Sequence, residues 1–198
     1  MSQYKNQIVS LDRTFYEGQT PAASYDAAVS VALEGREFQV PHLDAAAPTG
    51  NETETQVDGL EATVRMVWNT NATTCAATDL VKIGATPYLN TRTAGQSGSA
   101  GERCIGVVHH RCLNGIRRYD IGPVVVRGPV WVKKVAGALA VGEKVEASAT
   151  AGSVQLFADT STDDQTGAIV ADALGIVGEV IRDAASGDAT VEIFVGAR

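Results

Sequence analysis

Cysteine is scarce in this sequence: three residues in 198, an odd number, which argues against a disulfide framework and fits a chain folded in a reducing cytosol. Aromatic residues make up only 6%, so the core has to be built from the small and β-branched side chains that supply most of the 44% hydrophobic content. No run reaches the roughly 18 to 20 apolar residues of a bilayer-crossing helix. Met1-Ser2-Gln3-Tyr4-Lys5-Asn6 has no apolar h-region, so no secretion signal is expected. Positive charge is in deficit, with 16 Lys and Arg against 23 Asp and Glu, a net charge of -7 and a pI near 4.9. That balance speaks against a nucleic-acid surface, which needs a basic stripe to displace counterions from phosphates. Neither Gly-x4-Gly-Lys-Ser/Thr nor Gly-x-Gly-x-x-Gly between strand and helix occurs, and no Gly-x-Ser-x-Gly elbow is present.

What the sequence does contain is a segment used twice. Ile105-Gly106-Val107-Val108 through Val124-Val125-Val126 is matched, at one gapless offset, by Leu174-Gly175-Ile176-Val177 through Ile193-Phe194-Val195. Each copy is an apolar-Gly-apolar-Val run, a polar middle and a β-branched or aromatic run, the pattern of strand, turn, strand. Between and around the copies, Val130 to Val135, Lys144 to Ala147 and Val154 to Phe157 are short apolar runs divided by Asn114-Gly115, Gly122-Pro123, Gly128-Pro129, Gly142, Gly152 and Ser186-Gly187-Asp188. Such punctuation predicts an all-β barrel or sandwich in which the two copies open and close one barrel. Asp163 to Ala173 reads as either a helix or a loop.

Three regions are expected. Residues 1–60 carry breakers at Gly18, Pro21, Pro41, Pro48 and Gly50 and only two short strand-like runs, Tyr25 to Leu33 and Glu37 to Val40, so they read as an extended, loop-rich arm. Residues 61–100 form a connector holding a strand at Glu61 to Trp68, a second candidate at Asp79 to Ile83, and a Gly/Ser-rich loop from Thr91 to Glu102. Residues 101–198 are the barrel body. Charge is segregated: Arg103, Arg111, Arg117, Arg118, Arg127, Lys133 and Lys134 form a basic band, and residues 41–61 hold only acidic charges, Asp44, Glu52, Glu54, Asp58 and Glu61. This is either a set of complementary contacts between neighbouring chains or a solvated face.

Cys104, His109, His110 and Cys112 are the residues a search for metal or thiol chemistry selects. On a straight strand from Arg103 to Leu113 the two cysteines stand about 26 Å apart at roughly 3.3 Å per residue. Zinc ligands lie within about 2.3 Å of one point, so no metal site is expected. Adjacent histidines on a strand face opposite sides, which argues equally against a Cys/His nucleophile pair. Asp159, Asp163 and Asp164 lack the alternating ligands and closing Glu of a calcium loop. The sequons Asn51-Glu-Thr53 and Asn71-Ala-Thr73 read as chance in a chain without a secretion signal, and Trp68 and Trp131 read as strand anchors. No catalytic, cofactor or metal residues are assigned.

Ile105-Gly-Val-Val, Gly128-Pro-Val-Trp-Val-Lys-Lys-Val continuing to Gly142-Glu-Lys-Val, Ala151-Gly-Ser-Val-Gln-Leu, and Leu174-Gly-Ile-Val-Gly-Glu-Val with Ser186-Gly-Asp-Ala-Thr-Val-Glu-Ile-Phe-Val follow one another in an order that resembles the capsid decoration (head-stabilising, cement) proteins of tailed phages, over about residues 100–198. The resemblance implies a β-tulip-like barrel on the outside of an icosahedral head. It further implies homotrimers at threefold or quasi-threefold positions, bound to the major capsid protein and stabilising contacts between its subunits. It implies a non-enzymatic virion protein made in the host cytoplasm, with no cofactor, nucleic acid or membrane. The N-terminal half departs from the compact family pattern and is expected to add reach along the shell. The alternative reading is a carbohydrate- or receptor-binding β-module that uses Thr91 to Glu102.

Overall fold

The structure, a computed structural model, describes residues 37–43, 56–69, 73–83, 93–97, 103–110, 112, 115–117, 121–158 and 175–196. Among these the chain is all-β, with no helix, as expected. Its strands are β1 (Glu37–Leu43), β2 (Gln56–Asn69), β3 (Leu80–Ile83), β4 (Thr93–Gln96), β5 (Cys104–Val108), β6 (Ile121–Lys134), β7 (Lys144–Ala147), β8 (Ser153–Leu156), β9 (Ile176–Arg182) and β10 (Thr190–Val195). The segment Asp163 to Ala173 and residues 1–36 and 44–55 lie outside the described residues. β1 and the start of β2 fall within the stretch expected as an arm. β4 occupies the middle of the expected Gly/Ser loop, and β5 pairs with β3 across residue 100.

Strands β6 to β10 close a five-stranded barrel: β6 pairs antiparallel with β10, β10 with β9, β9 with β7 and β7 with β8, and β8 returns to β6 through a short parallel pairing at Lys133↔Ser153 and Lys134↔Val154. β2 to β6 repeat the same connectivity. β2 pairs antiparallel with β6, β6 with β5, β5 with β3 and β3 with β4, and a parallel pairing at Trp68↔Thr93 and Asn69↔Ala94 closes the ring. Strands β2 to β10 are therefore a tandem repeat of one barrel. β6 serves as the last strand of the first ring and the first strand of the second, which is why it runs for 14 residues.

The equivalence extends to single bonds. Cys75 and Ile116 exchange backbone hydrogen bonds of 3.0 and 2.7 Å, and Leu139 and Ala184 do the same at 2.9 and 2.8 Å. Asp79 Oδ2 accepts from the Ala76 amide at 2.7 Å, and Glu143 Oε2 accepts from the Ala140 amide at 2.7 Å. Between them, Thr78 (φ 66°) and Gly142 (φ 88°) make the same left-handed turn. Glycine adopts that conformation without the Cβ penalty that threonine carries.

Val67, Cys75, Val81, Val108, Ile116 and Val124 form one core cluster within the first ring, and their counterparts Val132, Leu139, Val145, Val180, Ala184 and Ile193 belong to a larger cluster that fills the second ring and continues to Ala62, Val64, Leu80 and Val107 on strands of the first. Cys75 stands where the second ring has leucine, so this thiol is a small core hydrophobe.

The sequence repeat is displaced relative to the structural one. A Cβ on Gly106 would lie 2.0 Å from the Val125 carbonyl oxygen, and the equivalent close approach is made by Gly178, whose Cβ would lie 2.4 Å from the Phe194 oxygen. Val125 and Phe194 correspond in the sequence alignment, but Gly106 corresponds there to Gly175. The connection to β10 is shorter than that to β6, which shifts the glycine from 175 to 178. The first copy also does not open the C-terminal barrel as expected: its β5 belongs to the first ring, and only β6 is shared.

The two rings meet head to tail. The peptide of Gly152, in the turn between β7 and β8, inserts into the first ring: its oxygen accepts from Leu80 N–H at 2.7 Å and its N–H donates to the Ser97 oxygen at 3.0 Å. Beside it, Lys133 N–H donates to the Thr78 oxygen at 3.0 Å and Lys133 Nζ to Asp79 Oδ1 at 2.5 Å. Asp79 is 0% exposed, so a fully buried carboxylate is satisfied from both rings.

Candidate functional site

The Cys/His segment is not a single strand. β5 ends at Val108, and Cys112 N–H donates to the His109 oxygen at 2.9 Å while Gly115 N–H donates to the Cys112 oxygen at 2.8 Å, so the chain turns back on itself. The straight-strand premise is thereby corrected. His109 and His110, expected on opposite faces, are both buried and stack with ring centroids 4.5 Å apart. Cys104, on β5, packs against the larger core, whereas Cys112 is buried in the core of the first ring. None of the three cysteines is in a disulfide, and among the described residues no group of three or more His, Cys, Asp or Glu is arranged to hold a metal ion. Asp159, Asp163, Asp164, Asn51 and Asn71 lie outside the described residues.

The basic band separates into two kinds of residue. Lys133 binds Asp79, and Lys134 turns inward to donate to the Gly137 oxygen at 2.6 Å, the same bond that Asn69 makes to the Thr73 oxygen at 2.9 Å in the first ring. These lysines are structural. Arg103, Arg117 and Arg127 are exposed and available to a partner, and Arg111 and Arg118 lie outside the described residues.

Arg127 borders a groove of about 510 Å³ lined by Glu37, Gln39, Thr63, Arg65, Ile105, Val126 and Arg127. Two β-bulges build it. Thr63 pairs with Arg127 and Val64 with Val125, which leaves Val126 as the extra residue. Val81 pairs with Gly106 and Lys82 with Cys104, which leaves Ile105 as the extra residue. A bulge re-aims its side chain, and here both bulged residues form the apolar floor of the groove. Arg65 donates twice to Glu37 Oε1, at 2.8 and 2.5 Å, and Gln39 bonds Thr63 at 3.0 Å, so the rim is held in place.

On the outer face of the second barrel, β1 is tied down by a buried polar cluster that the sequence did not single out. His42 Nε2 hydrogen-bonds Glu192 Oε1, and Glu192 Oε2 pairs with Arg182 Nε at 2.8 Å. The Arg182 guanidinium lies over the Trp131 ring, 5.4 Å from its centroid. His42 is 3% exposed and Glu192 4%, so this bond is shielded from water and fixes the end of β1 to β10. The signal was present in Thr190-Val-Glu-Ile-Phe-Val195, where a carboxylate interrupts an otherwise apolar strand. His42→Ala is expected to cost about 1.5 to 3 kcal/mol, the worth of a hydrogen bond to a charged group, read as a lower urea midpoint with an unchanged m-value. A midpoint equal to that of the parent protein would show that β1 is not held through His42.

No family model matches this sequence, and no curated protein matches it. The arrangement offers surfaces, a tied-down edge strand and a groove bordered by Arg65 and Arg127.

Proposed function

We propose that this chain is a non-enzymatic structural protein of a phage-type virion, which binds the outer surface of an icosahedral capsid and stabilises contacts between capsid subunits, as a homotrimer at threefold or quasi-threefold positions. The observation that carries this reading is where the resemblance falls on the fold. Gly128-Pro-Val-Trp-Val-Lys-Lys lies on β6, Gly142-Glu-Lys-Val leads into β7, Ala151-Gly-Ser-Val-Gln-Leu leads into β8, and Ile176 to Arg182 with Thr190 to Val195 form β9 and β10. β6 to β10 are the five strands of one closed barrel, while the remaining stretch of the resemblance, Ile105-Gly-Val-Val, lies on β5 of the first ring. A rigid barrel whose buried carboxylates are bound to its own strands suits a protein that works by adhering. A trimer that contacts several capsid subunits at once multiplies weak single contacts into avidity. The exposed arginines Arg103, Arg117 and Arg127 supply cationic contacts for an acidic shell.

Co-sedimentation with expanded, undecorated phage heads tests the reading. The purified chain is expected to pellet with the heads, to saturate at a fixed ratio to the capsid subunit, and to raise the temperature at which the heads come apart. A chain that stays in the supernatant at every concentration would contradict it.

A further inference from the structure

The groove bordered by Arg127 carries a positive charge that its own walls do not use. We propose that it is a docking site for an extended acidic segment of a partner polypeptide, which seats an aliphatic side chain on Ile105 and Val126 and a carboxylate on Arg127.

Strand register lays out the site. Gln39 of β1 pairs with Thr63 of β2, and Thr63 pairs with Arg127 of β6, so these three residues stand in one row across three strands. Glu37 and Arg65 form the next row, two residues along. Val125 pairs with Val64 on one side and with Val107 on the other, so β6 stands between β2 and β5, and β5 contributes Ile105 to the floor beside Val126. The groove thus crosses four strands, about 14 Å at roughly 4.8 Å between neighbours, which is the length of about four extended residues. Its volume of about 510 Å³ is bounded by described residues.

Charge selects the occupant. Glu37 is the one acid of the lining, and Arg65 already binds it through two hydrogen bonds of 2.8 and 2.5 Å. Arg127 is exposed and has no second acid of the lining to pair with, and Glu61, two residues along β2 from Thr63, stands outside the lining. A guanidinium takes a carboxylate through two parallel hydrogen bonds. One such cation matches one carboxylate, whereas a polyanion such as nucleic acid needs a row of them. Beside Arg127 the half-buried Ile105 and Val126 still present apolar surface to a partner.

The groove is built before any partner arrives. The Arg65 bonds to Glu37 and the 3.0 Å bond from Gln39 Nε2 to Thr63 Oγ1 hold the rim, and the floor consists of residues that two bulges fix in place, so docking orders few side chains. Bulges recur next to functional sites, and two converge here. An extended segment in which an aliphatic residue adjoins Asp or Glu presents both features within the length of the groove. Under the decoration reading this segment belongs to the capsid subunit, and that identification alone rests on the decoration reading.

The test follows the amide chemical shifts of the full, isotope-labelled chain while a hexapeptide alternating Glu and Val, blocked at both ends, is added to millimolar concentration. Shifts are expected to concentrate at Gln39, Thr63, Ile105, Val126 and Arg127. Arg127→Glu is expected to weaken binding at least about tenfold, the loss of a hydrogen-bonded charge pair. Arg127→Lys keeps the charge without the fork and is expected to lose less. Lys144→Glu makes the same change of charge at an exposed position on β7 and is expected to bind like the parent. The spectra themselves verify that each variant is folded. Equal weakening by Arg127→Glu and Lys144→Glu, equal binding of a peptide alternating Lys and Val, or no shift at the groove would each overturn the site. Peptide binding in the groove by a chain that does not pellet with heads would contradict the decoration function and leave the site standing. Pelleting of a chain whose groove shows no shift would overturn the site and leave the decoration function standing.

Discussion

Gly106→Val is expected to leave no stably folded protein. A Cβ at this position would sit 2.0 Å from the Val125 carbonyl oxygen and 2.9 Å from Val124 Cγ1, inside the pairing of β5 with β6, where backbone and not a flexible side-chain tip must give way. Overpacking and backbone strain of this kind cost about 1 to 3 kcal/mol each, and about 4 kcal/mol together is most of the stability of a marginal domain. The measurement is urea unfolding followed by circular dichroism, or, where the variant is insoluble, its recovery in the soluble fraction. Gly187→Ala is the matched control: nothing lies within 4 Å of its Cβ, and a change within about 0.5 kcal/mol is expected. Equal loss from both substitutions would contradict the close approach of β5 to β6.

The second large effect is expected at the joint. Asp79→Ala removes the acceptor of both the Ala76 amide and Lys133 Nζ at a position with no solvent exposure, and so strips a buried turn and an inter-ring bond together. Because Lys133 is 39% exposed and recovers water, the cost falls below that of a wholly buried pair, at about 3 kcal/mol. Loosening the joint is also expected to separate the unfolding of the two rings, seen as a broadened or two-step calorimetric transition where the parent chain shows one. Glu143→Ala removes the same turn acceptor in the second ring but no inter-ring bond, and is expected to cost about 1 kcal/mol with a single transition. A larger loss at Glu143 than at Asp79 would mean that the joint does not couple the rings.

Much of the second ring was legible in the sequence. Alternating apolar positions in Lys144 to Ala147 and Thr190 to Val195, cut by Gly142, Gly152 and Ser186-Gly187-Asp188, give β7 and β10 and the turns around them, because one face of each strand is buried and a shift by one residue would expose it. The twice-used segment correctly marked β5 with β6 and β9 with β10 as hairpin partners. Its meaning was wider than it looked, since the hairpins it marks belong to a repeat of connectivity that covers two rings, with its first half three residues out of register with the structural equivalence. The rest of the repeat was hidden because a ring constrains burial more than identity: Cys75 and Leu139, or Ile116 and Ala184, satisfy one position with different side chains. Thr78 and Gly142 satisfy one left-handed turn with different backbones. β4, Thr93-Ala-Gly-Gln, carries no apolar alternation and reads as loop; pairing with β3 on one side and β2 on the other makes it a strand. His42 and Glu192 were beyond reach for a different reason, since no local pattern brings together residues 150 positions apart.

The central claim, that these linked barrels decorate and stabilise a phage-type head, is tested most directly by comparing cryo-EM reconstructions of expanded heads with and without the purified chain. The account predicts added density on the outer surface at threefold or quasi-threefold positions, three copies to a site, each fitted by two five-stranded barrels joined along one long strand. Reconstructions that superimpose without any difference density, under conditions where the chain is folded and in excess, would contradict it.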